Sequence, residues 1–184
     1  MRSGRAVLAL VTLLMLAGPV AADQSNRRLP GLLDQLQSAD NAKEAEVLER
    51  RIWRIWIHHD DAEVSRFMSI GISAMNGGNL EVAFAAFDQV TGLAPDFAEG
   101  WNKRATVNYM MQKFDASMID IERTLALEPR HFGALSGMGL IFDAIGNAKA
   151  AADAWERALA VNPHIPGARE HIDELRKREK GHPI

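Results

Sequence analysis

Residues 132–165 read FGALSGMGLIFDAIGNAKAAADAWERALAVNPHI, and the same outline stands twice more upstream. Pro163 is preceded, at a constant interval of 34 residues, by Pro129 and Pro95. A fixed period of this length marks a helical solenoid, because one helix pair cannot bury its apolar face alone and must stack on its neighbours. Framed on the prolines, the units cover residues 64–97, 98–131 and 132–165. The first turn of each holds a large apolar residue, Phe67, Trp101 or Leu135, followed four positions on by a small one, Gly71, Ala105 or Gly139. In the second half a small residue recurs at Ala83, Ser117 and Ala151, and a bulky one at Phe87, Ile121 and Trp155. Val90, Thr124 and Ala158 mark the last turn before each proline. Small residues on facing helices let backbones approach, and the bulky residue fills the space one turn away.

Turn signals at Gly77-Gly78-Asn79 and Gly146-Asn147 separate the two helices of a unit, and proline stops the second. The pattern predicts helices near 64–76, 80–93, 98–111, 115–127, 132–145 and 149–161. Upstream, residues 30–63 read as a degenerate helix pair. Leu32, Leu33 and Leu36 form one apolar stripe, and Ala45, Leu48, Ile52, Ile55 and Trp56 form another beside Trp53. Glu49 stands where the frame expects a small residue, so the pair is a divergent repeat or a capping hairpin; either is expected to cover the first helix of unit one. Downstream, Ala168, Ile172 and Leu175 give residues 167–180 one apolar face, expected as a capping helix before the tail to 184.

This outline resembles the tetratricopeptide repeat family over residues 64–165, most nearly in the third unit from Ala134-Leu135 to Asn162-Pro163. The resemblance implies an all-α, right-handed solenoid of three full repeats, with a divergent N-terminal helix pair and a C-terminal capping helix. The stretch from Trp101-Asn102-Lys103-Arg104-Ala105 to Glu128-Pro129-Arg130-His131-Phe132-Gly133-Ala134-Leu135 is also similar to small exported bacterial proteins with these repeats. That similarity implies periplasmic residence. In the family, first-helix residues line a concave groove for extended or helical peptides. The resemblance carries this role to Met68, Ile72 and Met75, to Asn102, Thr106 and Tyr109, and to Ser136, Leu140 and Asp143. Methionines suit irregular apolar partners, and Asn102 is the residue expected to hold a peptide amide. The Lys/Asn carboxylate clamp of chaperone-binding members is largely missing, since only Asn102 matches it while Met68 and Ile72 contradict it.

Arg104 and Asn108 depart most from the repeat, for units one and three place Ile70 with Ala74 and Met138 with Phe142 there. Four residues apart, the two share a helical face directed at neighbouring helices. A buried guanidinium needs a partner. Asp88, Asp120 and Glu122 are within reach, giving either a buried polar network that sets stacking register or an anchor for an acidic ligand group. His58-His59-Asp60-Asp61 reads as a polar helix end rather than a metal site, because adjacent helical residues diverge by about 100°. His131 beside Arg130 is expected to hydrogen-bond across a repeat junction. No nucleophile elbow, phosphate loop or paired-acid arrangement is present, so neither an enzyme nor a cofactor is expected.

At the N-terminus, Arg2 and Arg5 precede an apolar run from Ala6 to Ala17, then Gly18, Pro19 and Val20-Ala21-Ala22. This reads as a signal peptide over residues 1–22, too short to span a bilayer, followed by a flexible start at 23–28. There is no cysteine, which excludes disulfides and acyl-lipid attachment at a cysteine. Loss of Arg2 and Arg5 takes the formal charge from −3 to −5, against a nucleic-acid binder. The expectation is a periplasmic or secreted, non-catalytic adaptor for a protein or peptide, without a membrane span after cleavage. The rival readings are a self-associating module, hence a homo-oligomer, and a small-ligand or metal binder.

Overall fold

The computed structural model describes residues 27–181; the expected signal peptide, residues 23–26 and 182–184 lie outside them. Nine helices and no strands make up the described residues: α1 Leu29–Gln37, α2 Ala42–Ile57, α3 Ala62–Asn76, α4 Leu80–Leu93, α5 Ala98–Met110, α6 Phe114–Leu127, α7 Phe132–Ala144, α8 Ala148–Val161 and α9 Ala168–Glu179. None of them is long and apolar enough to cross a membrane. Helices α3–α8 form three stacked pairs, and α9 closes the far end on α8.

Backbone hydrogen bonds repeat with the sequence. Each leading helix ends with one bond, from Asn79 N–H to Ala74 O, Lys113 N–H to Asn108 O and Asn147 N–H to Phe142 O, all at 2.8 Å. The turn residue before each donor takes left-handed backbone: Gly78 at φ 76°, Gly146 at φ 80°, and in unit two Gln112 at φ 59°. Asn79 and Asn147 then cap α4 and α8, accepting from Val82 N–H and Ala150 N–H. Within a pair the helices meet where the leading one lacks bulk. A Cβ on Gly71 would stand 2.5 Å from the Phe87 ring, and one on Gly139 would stand 2.7 Å from Trp155. Ala105 and Ile121 share the core of unit two.

The N-terminal hairpin departs from expectation. It does not cover α3; α2 leans away and a cleft of about 980 Å³ opens between the two helices. Instead the hairpin crosses the solenoid to units two and three. Leu29, Leu32, Leu33, Leu36, Ile52 and Trp56 form one core with Phe132, and Val161 packs against it. Polar bonds fasten it there: Gln37 Nε2 to Ala160 O at 2.8 Å, Asn162 Nδ2 to Glu49 Oε1 at 2.8 Å, His164 Nε2 to Ala39 O at 2.8 Å and Arg130 Nη1 to Asp34 at 2.6 Å. Glu49 thus has a reason to be polar where a repeat would place a small residue. The physical cause is ring packing: Trp53 and Trp56 find the aromatic partners Phe132 and His131 at the start of α7, whereas α3 turns Met68 and Ile72 toward them only between serines.

Gln112 performs without glycine's freedom the turn that Gly78 and Gly146 make. A side chain in this region costs about 1 kcal/mol. Gln112→Gly is therefore expected to raise stability by up to about 1 kcal/mol, while Gly78→Gln lowers it by a similar amount, as read by urea unfolding.

Candidate functional site

The leading helices α3, α5 and α7 line the face where the family groove would lie, and α2 occupies part of it. The Trp53 ring fills the space beside Gly133, where a Cβ would come within 2.7 Å of Cη2. It meets Phe132 edge-on at 5.5 Å, while Trp56 stacks on His131 at 4.0 Å with 12° between the rings. Beneath the tryptophans lies a buried charged group. His131 Nδ1 accepts the Ala134 N–H at 3.1 Å, capping α7, so its proton sits on Nε2 and is donated to Glu99 Oε2 at 2.9 Å. The same oxygen accepts from Asn102 Nδ2 at 2.9 Å, and the other pairs with Lys103 Nζ at 3.0 Å. Lys103 in turn lies over the Trp53 ring at 5.2 Å. Burial alone would raise the Glu99 carboxyl, but Lys103 and His131 outweigh it and hold the group below its ordinary 4.5.

Two clefts lie beside α2 among the described residues. The larger, between α2 and α3, includes Met68 and Ile72 with Ser65, Ser69, Ser73 and Asn76 on one wall and Arg54, Ile55, Ile57 and His58 on the other. The smaller, about 150 Å³ between α5 and α7, brings together Asn102, Thr106, Tyr109, Ser136 and Leu140 with Gly133 and Gly137. Four expected groove residues do other work, and Met68 is one of them, buried in the core shared by units one and two. Asn102 is buried and spends its amide on Glu99, so it is no open peptide clamp. Met75 packs in the core shared by units one and two. Asp143 is paired with Arg178 at 2.6 Å and His171 at 3.2 Å from α9, which reaches back over this end.

Arg104 and Asn108 converge on Asp120. The guanidinium meets it with two parallel bonds, Nε to Oδ2 at 3.0 Å and Nη2 to Oδ1 at 2.7 Å, and Asn108 Nδ2 adds a third at 3.0 Å. Arg104 Nη1 reaches back to Asp88 at 2.6 Å and Thr91 Oγ1 at 3.0 Å, which ties unit two to unit one. The Trp101 ring covers the guanidinium at 4.8 Å. Glu122 is exposed and takes no part. With four of five donors engaged, this geometry is that of the stacking network rather than a ligand anchor.

His58 and His59 face different partners, Asp60 at 3.1 Å and the Asp61 N–H at 3.1 Å. Among the described residues no group of three or more potential ligands is placed to hold a metal. Sequence reasoning missed Glu99, an acid that reads as an ordinary first-turn surface residue. Gly133 was the available signal: a glycine at a concave position of α7 leaves room for a bulky visitor.

No family model matches the chain. A TPR repeat-containing protein of Rhizobium etli is 35% identical over 161 residues, covering 88% of this chain and 79% of that one. Among solved structures, the first TPR of Spaghetti (RPAP3) bound to the HSP90 peptide SRMEEVD aligns with a TM-score of 0.63 at 19% identity. It covers 67% of this chain and 98% of that domain. A crystal structure of MamA aligns with a TM-score of 0.61 at 20% identity, over 81% of this chain and 84% of that one. At these identities the two structures share the fold.

Two outcomes follow from the buried charges. Asp120 is 2% exposed and Asp88 50%. Asp120→Ala removes the buried carboxylate that Arg104 and Asn108 share and is expected to cost about 3–5 kcal/mol, and Asp88→Ala under about 1 kcal/mol, by denaturant unfolding. Glu99, held low in the folded chain, stabilises above its unfolded pKa, and that contribution fades as pH drops from 4.5 through the folded value. Glu99→Gln should lower the melting temperature at neutral pH and flatten its acid limb. A residual slope is expected from Asp61, held low by the Val64 and Glu63 N–H groups, and from Asp153, held low by Lys149 and Arg176.

Proposed function

Since the chain belongs to the tetratricopeptide repeat proteins, we propose that it is a non-catalytic adaptor holding a polypeptide segment of another protein on its concave face. The observation that carries this reading is the pair of clefts. Ile72, Thr106, Tyr109, Ser136 and Leu140 stay at their surface although α2 occupies the space between. A concavity lined by part-exposed apolar and hydroxyl-bearing side chains suits a polypeptide guest. α2 itself supports a helical guest, because the floor at Gly133 already accepts one helix through a tryptophan. The Spaghetti domain provides a parallel, with its HSP90 peptide bound on the same fold. Two open clefts suit micromolar binding, about −8 kcal/mol.

The setting belongs to the same proposal. Residues 1–22 carry the features of an export signal, which suits a periplasmic adaptor in an envelope assembly or maturation complex. A photoreactive residue placed at Ile72 or at Tyr109 in the living cell tests both parts. One partner, crosslinked from both positions and recovered in the periplasmic fraction, is the expected result. Absence of any crosslink from either cleft overturns the adaptor, and a cytoplasmic location of the processed chain overturns the setting.

A further inference from the structure

We infer that the cleft between α2 and α3 receives an acidic amphipathic helix of the partner, with Arg54 as the cation that selects it. This deepens the adaptor reading and rests on it. In the stack, each second helix packs on the next leading helix, α4 on α5 and α6 on α7. Between α2 and α3 that contact is replaced by about 980 Å³ of open space. A helix about 10 Å across fills such a volume with roughly two turns. Ile72 of α3 and Ile55 of α2 give the cleft an apolar strip, with the buried Met68 beneath it. Along the α3 wall Ser69 and Ser73, one turn apart, offer hydroxyls and no charge. An apolar strip with polar edges is the complement of an amphipathic helix.

Charge decides which helix. Arg54 is exposed and has no hydrogen-bond or ion-pair partner among the described residues. Arg51, three residues earlier on the same side of α2, is equally unpaired among them. No carboxylate among the described residues lines the cleft; in the α2–α3 connection Asp60 meets His58 of the cleft wall, Asp61 caps α3 and Glu63 pairs with Arg66. The formal charge of the chain is −3, and against it Arg54 is the one formally charged side chain among the described residues that line the cleft. Carboxylates flanking the guest's apolar stripe meet Arg54 and Arg51; a basic guest meets them with like charge and is rejected.

The test uses two synthetic helices about 16 residues long with the same leucine stripe, one flanked by glutamates and one by lysines. Fluorescence anisotropy with the full chain is expected to show about tenfold tighter binding of the glutamate peptide in low salt, the gap narrowing as salt rises. Both arginines are exposed, so Arg51→Glu with Arg54→Glu leaves the fold intact and is expected to reverse the order. Ile72→Asp is expected to weaken both peptides. Equal binding of the two peptides, or an unchanged order in the double variant, overturns the inference. So does a crosslink from Ile72 to residues 1–26 or to a second copy of the chain. If the cell crosslinks still yield one partner while the peptides are not distinguished, only the acidic-helix assignment fails. Loss of both results removes the adaptor as well.

Discussion

Within each unit the two helices approach closely because the leading one carries a residue without bulk where the second carries a ring or branched chain. Gly71 lies against Phe87 and Gly139 against Trp155, each so near that a methyl group has no room. The contact fixes the angle and rise of the pair, and the next pair repeats it. Everything downstream of that geometry is a question of which leading-helix face remains for other use. Faces turned to the second helix or to the next unit are spent on packing, and the side chains left over line the concavity.

The second unit departs from this apolar economy on both sides of α5. Arg104 and Asn108 point to the unit-one side and to Asp120, while Glu99 and Lys103 point to the hairpin. Units one and three place apolar side chains at the positions of Arg104 and Asn108, so the stack does not need charge for stability there. A buried ion pair seldom exceeds a well-packed apolar pair in net energy. Its distinctive contribution is direction: the planar guanidinium meets the Asp120 carboxylate in one orientation, which admits one register between α5 and α6. Glu99 acts similarly on the hairpin, because the carboxylate on Nε2 and the helix end on Nδ1 together fix the plane of the His131 ring that stacks on Trp56.

The period made the solenoid legible, since turns, caps and close approaches all recur with it. The partners of Arg104 were also legible as a set, because a buried guanidinium demands acids and few lay within reach. The hairpin's destination was not. Its stripes at Leu32, Leu33, Leu36, Ile52 and Trp56 say that it packs on something, and helical periodicity carries no address. The address is written in residues that look ordinary alone: Gly133 makes room for Trp53, Phe132 offers a ring, and Asn162 answers Glu49 across 113 positions. Such a match involves two distant segments at once, which a reading along the chain does not compare.

Where α2 settles also explains why the groove is divided. Complete burial of Trp56 removes about 200 Å² from water, a gross gain of about 5 kcal/mol. Its Nε1, without an acceptor, gives back about 1–3 kcal/mol. The balance favours α2 on α7, where Phe132 and His131 complete the aromatic cluster, over α2 on α3, whose exposed face offers Ser65, Ser69 and Ser73. By moving toward units two and three the helix vacates its place beside α3. The concavity thus loses its floor at Gly133 and gains a wall at Arg54, and the space for a guest shifts to the first unit.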